Sequence, residues 1–211
     1  MIALVDYGAG NLRSVEFALE HLGVPWRRAD KPEDLADATA IILPGVGAAA
    51  SAMRQLEEHG LDNALRESEV PLLGICLGMQ LLTDRSEEGE NEVECLGLVR
   101  ADTRRFGAPR RDIGQGTVAP FPYPLPHIGW NETRLSGDPI FEGLDATEHF
   151  YFLHAYRVCT ADENVIAEAD YGETFPAAIR CGHRVAVQFH PEKSGPSGLR
   201  ILANFCHVGR L

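Results

Sequence analysis

A cysteine and a histidine in two separate stretches of the sequence have the residue types and surroundings needed for nucleophilic catalysis. Cys76 lies between Gly74 and Gly78, after the apolar run 70–73 and before a segment of helical character. Glycines two residues before and two after a nucleophile allow the sharp strand-to-helix turn that presents its side chain to a substrate. The pattern predicts a nucleophilic thiol, with a small buried hydrophobic cysteine as the alternative.

His190 and Glu192 supply the other groups that this chemistry requires. His190 precedes Pro191, which biases the histidine backbone towards an extended conformation. Residues two apart in an extended chain point to the same side, so Glu192 can reach the imidazole ring and fix its tautomer. The second ring nitrogen is then free to face a thiol. With Cys76, these residues predict a catalytic triad of nucleophile, base and orienting carboxylate.

The elements that must position these groups alternate between strands and helices. In the first half, strands are predicted at 2–5, 40–43 and 70–73, a helix after the first strand, and helices at about 49–57 and 61–68. The second half has strand-like runs at 96–99, 149–153, 165–169, 177–180 and 184–189, then a final helix at about 197–207. This order predicts an α/β fold with a mostly parallel central sheet, flanking helices and additional strands in the C-terminal half. We expect a single domain over residues 1–211.

Composition narrows the classes of function. The 31 acidic residues outnumber the 19 basic ones, giving a net charge of −12, which disfavours nucleic acid and anionic membranes as partners. No apolar run reaches the roughly 18 residues of a membrane span. The five cysteines are scattered and none forms a C-x-x-C pair, which argues against a disulfide framework or a zinc site. We therefore expect a cytoplasmic protein without a bound metal.

Two stretches together resemble the class I, triad-type glutamine amidotransferases. They are Gly-Ile-Cys-Leu-Gly-Met-Gln at 74–80 and Gln-Phe-His-Pro-Glu-Lys-Ser at 188–194. Segments 6–11, 44–47, 126–131 and 151–157 extend the resemblance over nearly the whole chain, towards the branch that serves histidine biosynthesis. The resemblance implies that L-glutamine is hydrolysed to glutamate and ammonia through a cysteine thioester, without a cofactor. It also implies a heterodimer with a separate cyclase subunit, which uses the ammonia to make imidazole glycerol phosphate.

The same resemblance assigns further residues to the site. Backbone amides of an oxyanion hole would come from Leu77 and from Gly45, Val46 and Gly47. Bound glutamine would be held by Gln80, Glu88, Ala155 and Tyr156. The cyclase subunit would be faced by Asn11, Trp130, Tyr151 and Lys193. Without the resemblance, a solvated acid would be favoured for Glu88 and a surface charge for Lys193, whereas Trp130 could be part of the core.

Alternatives remain open from the sequence. The chain could be the glutaminase subunit of another amidotransferase, or a non-catalytic docking subunit of the same fold, although an intact triad argues against the second. Residues 100–125 are rich in arginine and proline and longer than the usual family segment. Alternating prolines favour an extended conformation there, which fits either a solvated loop or a loop that contacts the partner.

Overall fold

Strands and helices alternate through the first part of the chain in the computed structural model, which describes residues 1–8, 12–89, 91–107 and 121–208. The elements are β1 (Ile2–Val5), α1 (Leu12–His21), β2 (Trp26–Ala29), β3 (Ala40–Leu43), α2 (Ala49–Glu58), α3 (Leu61–Glu67), β4 (Leu72–Ile75) and α4 (Leu77–Leu81). Each short strand is apolar or half-buried and leads into a helix or turn at its carboxyl end. This is the arrangement of a parallel α/β sheet.

Strands dominate the rest of the chain. They are β5 (Arg85–Ser86), β6 (Val93–Glu94), β7 (Ala101–Arg105), β8 (His127–Leu135), β9 (Thr147–His154), β10 (Tyr156–Thr160), β11 (Val165–Asp170), β12 (Thr174–Cys181) and β13 (Arg184–Val187). Helix α5 (Gly195–Val208) follows. Short 3-10 helices occur at Pro32–Leu35, Pro139–Phe141, Asp162–Asn164 and Pro191–Lys193.

A nine-stranded mixed sheet connects the two halves, in the order β2-β1-β3-β4-β13-β12-β11-β8-β9. The strands from β2 to β13 in this order are parallel, and those from β12 to β9 are added antiparallel. A second, four-stranded sheet has the order β10-β7-β5-β6. The central strand β4 lies between β3 and β13, so three parallel strands end side by side.

Apolar cores cover both faces of the large sheet. In β1, Ile2 and Leu4 pack towards α1 and α5, whereas Ala3 and Val5 pack towards α2 and α3. This alternation follows from the two-residue period of a strand, and both faces are apolar because both are covered by helices. The strands β3, β4 and β13 therefore end within a sheet that is packed on both faces.

The predicted fold class is confirmed, and the elements differ from the prediction in detail. The predicted strand at 96–99 is wrong, because the amides of Leu96 and Val99 bond to the carbonyls of Leu81 and Leu82 at the end of α4. Strands β2, β5, β6, β7, β8 and β10 were not predicted. In β2, two arginines hide the apolar pattern of a sheet-edge strand. The antiparallel strands β12, β11, β8 and β9 belong to the same sheet as the parallel strands. The sheet is therefore mixed, whereas the alternation of strands and helices in the sequence predicted a mostly parallel one.

The arginine- and proline-rich segment is only partly within the described residues, since 108–120 lie outside them. Arg104 in β7 is buried and forms ion pairs with Asp102 at 2.8 Å and Glu87 at 3.4 Å. This arginine is therefore not part of a solvated basic strip. Within the described residues, no helix has the length and apolar character needed to cross a membrane.

Candidate active site

The three segments that carry the predicted chemistry meet at one edge of the large sheet. Loop 44–48 follows β3, Cys76 follows β4, and His190 lies three residues after β13. Because β3, β4 and β13 are adjacent and parallel, their carboxyl ends converge, and open α/β sheets bind ligands at such edges. The amide of Cys76 also bonds to the carbonyl of Val187 in β13 at 2.8 Å, which fixes the relative position of the two segments.

Cys76 occupies a strained strand-to-helix turn. Its φ is +54° and its ψ is −108°, and no other non-glycine residue in the described part of the chain has a positive φ. A Cβ at Gly78 would lie 1.9 Å from the carbonyl oxygen of Leu43, and one at Gly74 would lie 2.9 Å from the Gly78 backbone. The glycines on either side of Cys76 are therefore required for β3, β4 and α4 to approach one another.

His190 and Glu192 form a buried pair beside this turn. Nδ1 of His190 is 2.7 Å from Oε1 of Glu192, and both side chains are almost fully buried. Nδ1 therefore carries a proton that it donates to the carboxylate, and Nε2 is buried without a hydrogen-bond partner among the described residues. Burial lowers the pKa of His190, but the Cys76 sulfur and the Glu192 carboxylate outweigh burial and raise it to about 10. The imidazole is thus held ready to give up a proton near the sulfur.

Two residues that the sequence did not single out hold the catalytic segment in place. Ser194 Oγ donates to the carbonyl of His190 at 2.7 Å and accepts from the amide of Tyr151 at 3.0 Å. The fully buried Gln188 places its Nε2 3.8 Å from the Cys76 sulfur and accepts from Gln80 at 3.1 Å. The triad is therefore tied to both β9 and α4.

A cavity of about 220 Å³ opens above the cysteine. It is lined by the two triad residues Cys76 and His190 and by Val46, Gly47, Leu77, Gln80, Glu88, Pro126, Leu153, His154, Ala155 and Tyr156. All four residues predicted to hold glutamine are in this set, although no feature of the sequence apart from family resemblance places them together. No group of metal-binding side chains occurs within the described ranges.

Gln80 and Glu88 have defined partners at the cavity wall. Gln80 is buried and donates to the carbonyl of Tyr156 at 3.2 Å. Glu88 is half-buried and accepts from the amide of Ala49, the first residue of α2, at 2.8 Å. Burial raises the pKa of Glu88, and the hydrogen bond from Ala49 partly offsets this. Glu88 is therefore a cavity residue and not one of the solvated acids around it.

Two buried imidazoles lie at the cavity wall: His154 lines it, and His127 packs against His154. His154 Nδ1 is 2.7 Å from the Tyr156 carbonyl, which can only accept, so Nδ1 carries the proton and Nε2 accepts from His127 Nδ1 at 3.1 Å. His127 also stacks on Tyr171, with ring centroids 3.9 Å apart. Burial lowers the pKa of His127 to about 4 and that of His154 to about 3. Both rings therefore stay neutral at physiological pH and fix the carbonyl that Gln80 also contacts.

Three of the four predicted partner-facing residues lie on one surface next to the cavity. Trp130 in β8 pairs with Tyr151 in β9, and Ile128 pairs with Leu153. Trp130 and Ile128 are 57% and 58% exposed, and the Lys193 ammonium lies 5.9 Å from the Tyr151 ring centroid. We call this set, with Lys193, the β8–β9 surface. The fourth predicted partner residue, Asn11, lies outside the described residues.

Comparison with known proteins agrees with this geometry. Residues 3–208 match the family model described as Glutamine amidotransferase class-I. One solved structure described as a glutamine amidotransferase shares the fold with a TM-score of 0.73 at 23% identity, with all of both chains covered. Another, a glutamine amidotransferase from Thermotoga maritima, has a TM-score of 0.60 at 16% identity over 90% of this chain and 75% of that chain. The chain belongs to the class-I glutamine amidotransferase family.

Relatives in sequence narrow the family further. A protein of Dehalococcoides mccartyi named imidazole glycerol phosphate synthase subunit HisH is 43% identical over 97% of this chain and 96% of its own length. Proteins of the same name from Bacteroides fragilis and Vibrio parahaemolyticus are 43% and 38% identical, each over 98% of this chain and over 99% and 98% of their own lengths. The chain is thus similar to HisH subunits throughout, and the resemblance seen in the sequence is confirmed.

Proposed function

We propose that this chain hydrolyses L-glutamine to glutamate and ammonia, and that the ammonia passes to a cyclase subunit that forms imidazole glycerol phosphate in histidine biosynthesis. The observation that carries the proposal is the buried His190–Glu192 pair placed beside Cys76 at the strained turn, in a cavity of suitable lining. Its extension to a cyclase partner is supported by the similarity to HisH subunits.

Cys76, His190 and Glu192 suffice for both half-reactions, the formation of a thioester and its hydrolysis. The Cys76 sulfur attacks the side-chain amide carbon of glutamine, and the C–N bond breaks as His190 gives a proton to the departing ammonia. This leaves a thioester on Cys76. A water molecule then gives a proton to His190 and attacks the thioester carbon, and the C–S bond breaks, which releases glutamate and returns the Cys76 sulfur beside the protonated imidazole. Glu192 keeps the ring oriented through both steps. The two steps as written require no cofactor or metal.

An oxyanion forms in each half-reaction and needs hydrogen-bond donors. The amide of Leu77 belongs to the turn, and those of Val46 and Gly47 belong to the loop that lines the cavity. Gly45 packs so closely on the turn that a Cβ there would lie 2.9 Å from the Leu77 Cβ. Donors of this kind lower the barrier by an amount worth roughly 10²–10³ in rate each. We assign the oxyanion hole to these backbone amides.

Substrate binding follows from the cavity wall. We assign Glu88 to the α-ammonium group of glutamine, since it is the carboxylate of the cavity lining and its burial strengthens an ion pair. Backbone groups of Ala155 and Tyr156 face the same cavity and are assigned to the substrate carboxylate. Gln80 lines the same cavity and donates to the carbonyl of Tyr156.

The β8–β9 surface is the proposed contact with the cyclase subunit. Ile128, Trp130 and Leu153 are exposed, and Leu153 belongs both to this surface and to the cavity wall. Exposed apolar groups that adjoin an active site are suited to a partner which closes that site. Ammonia released there could enter the partner without crossing bulk water. We place this assembly in the cytoplasm, where histidine biosynthesis supplies its substrates.

The experiment mixes the chain with the native cyclase subunit, its nucleotide substrate and glutamine, and measures glutamate and imidazole glycerol phosphate. The proposal predicts both products in equal amounts. If glutamate forms but imidazole glycerol phosphate does not, although the cyclase is active with ammonium salts, the chain is the glutaminase subunit of another amidotransferase. Failure to release glutamate in any combination would support a non-catalytic docking subunit.

A further inference from the structure

Two side chains from distant parts of the sequence bind the two ends of loop 44–48. The hydroxyl of Tyr7, just after β1, donates to the carbonyl of Pro44 at 3.2 Å. The carboxylate of Glu88 accepts from the amide of Ala49, where the loop becomes α2, at 2.8 Å. The loop is therefore attached at its first and last peptides by groups that belong to neither of its flanking elements.

Tyr7 is placed to act on the catalytic geometry. Its side chain is fully buried, and a Cβ at Gly45 would lie 2.8 Å from the Tyr7 oxygen. Gly45 is thus enclosed between Tyr7 and Leu77. Burial raises the pKa of Tyr7, and the nearby Cys76 sulfur raises it further, so the phenol stays neutral and remains a donor at every working pH.

The middle of the loop has few contacts of its own. Val46 and Gly47 are exposed, and a Cβ at Gly47, which has a φ of +96°, would meet no atom within 4 Å. The direction of the amides there is consequently set by how the ends are held. Since hydrogen-bond donors must be positioned to within about half an ångström to stabilise a transition state, a loosened end would reduce catalysis.

We propose that Tyr7 and Glu88 are positioning residues that clamp loop 44–48 at both ends and thereby aim its amides at the oxyanion formed on Cys76. Glu88 then has two roles, since one carboxylate both lines the substrate cavity and fixes the loop. Glutamine bound to Glu88 is in this way placed at a fixed distance from the oxyanion donors. The inference rests on the proposed glutaminase function.

Tyr7→Phe tests the first clamp, because it removes one hydroxyl and keeps the ring. In the complex with the cyclase subunit, we expect kcat for glutamine hydrolysis to fall about 10- to 100-fold with KM within about threefold. Alkylation of Cys76 by iodoacetamide, followed by mass spectrometry of its peptide, should stay within about twofold, because displacement at a saturated carbon forms no oxyanion. Tyr123→Phe, at an exposed tyrosine, is the matched control and should leave both rates unchanged.

Glu88 provides the second and independent test. Glu88→Gln keeps an oxygen that accepts from Ala49 but loses the charge, whereas Glu88→Ala loses both. Both variants should raise KM, and kcat of the alanine variant should be about tenfold below that of the glutamine variant. Equal kcat values in the two variants would show that Glu88 binds substrate without positioning the loop.

Other outcomes separate the inference from the function on which it rests. A Tyr7→Phe enzyme with kcat within twofold of the wild-type value would overturn the clamp and leave the glutaminase assignment intact. A parallel fall of kcat and of Cys76 alkylation would show a general disturbance of the site and also overturn it. A wild-type complex that releases no glutamate would overturn the proposed function together with the inference.

Discussion

At the scale of single residues, the site depends on which protons its buried groups hold. His190 has a pKa raised to about 10 by Cys76 and Glu192 against the effect of burial, so its ring is protonated at neutral pH. A protonated imidazole whose ring orientation is fixed can protonate the leaving ammonia without first taking up a proton from solvent. Glu192 maintains this state through a single hydrogen bond of 2.7 Å.

The first prediction compares the base with its orienting carboxylate. His190→Ala should lower kcat by roughly 10⁴-fold or more, whereas Glu192→Ala should cost about 10²-fold, because an unsupported imidazole still acts in a fraction of its orientations. The measurement is glutamate release in the cyclase complex, compared between variants that have the same free energy of unfolding. Glu192→Gln, which can still accept from Nδ1, is the control and should lie above Glu192→Ala. Equal losses for the alanine variants would contradict the orienting role.

The second prediction concerns the neutral pair His127 and His154. Their pKa values of about 4 and 3 in the folded chain lie below the ordinary value of 6.5, so the unfolded chain binds more protons between pH 6.5 and 4. The free energy of unfolding should therefore fall as the pH is lowered through this window, and the effect should be absent above it.

Chemical denaturation of the free chain at pH 7.5 and pH 5 measures this dependence. The difference in the free energy of unfolding between the two pH values should be smaller in His127→Gln than in the wild type. His149→Gln, at an exposed position of the same strand as His154, should keep the wild-type difference. An unchanged difference in His127→Gln would mean that the imidazole pair does not contribute.

At the scale of elements, the glycines of the turn determine whether β3, β4 and α4 can meet. Gly78 lies against the carbonyl of Leu43, and Gly45 lies against Leu77 on the other side. The strained backbone of Cys76 persists because these contacts leave it no alternative. The position of the nucleophile is thus a property of three packed elements and not of the cysteine alone.

The third prediction follows from that packing. Gly78→Ala would place a methyl group 1.9 Å from a backbone oxygen, so the free energy of unfolding should fall by about 3 kcal/mol or more, with loss of activity. Gly137→Ala is the matched control, since a Cβ there meets nothing within 4 Å and φ is not positive, and it should change stability by less than about 0.5 kcal/mol. Denaturant titration of both variants measures the free energy of unfolding. Equal values for the two variants would contradict the close approach of Gly78 to the Leu43 carbonyl.

The sequence predicted those elements and residues whose signal is local. The Gly74–Gly78 spacing and the His190-Pro191-Glu192 order each constrain a short stretch of backbone, and both lie where they were expected. Residues that act through contacts between distant segments left no such signal, which is why Tyr7, Gln188 and Ser194 were missed. The apolar run at 96–99 was wrongly predicted as a strand for a related reason. Leu96 and Val99 are buried next to the end of α4, and this gives the same apolar pattern as burial in a strand.

At the scale of the whole molecule, the cavity opens beside a surface that is unusually apolar for a chain of net charge −12. The β8–β9 surface carries Ile128, Trp130 and Leu153 on one exposed face, and Ser194 connects Tyr151 of that face to the His190 carbonyl. The amide of His190 also donates directly to the carbonyl of Tyr151 at 2.9 Å, so contacts made by a partner on this surface would act on a residue that is bonded to the catalytic histidine.

The fourth prediction tests this surface. Trp130→Ala should weaken binding to the cyclase subunit at least about tenfold, because exposed aromatic residues commonly dominate the energy of an interface. Stability of the free chain should change little, since Trp130 is 57% exposed. Isothermal titration of the two subunits measures the affinity, and Asn63→Ala on α3 is the control. Unaltered affinity of the Trp130 variant would place the partner elsewhere.

The most direct test of the account is the Cys76→Ala complex assayed with two nitrogen sources. With glutamine, the variant should release no glutamate and form no imidazole glycerol phosphate, because the nucleophile is gone. With ammonium salt at high pH, it should form imidazole glycerol phosphate at the rate of the wild-type complex, because only the supply of ammonia depends on Cys76. Glutamate release near the wild-type rate would contradict the central claim that Cys76 is the nucleophile of a glutaminase.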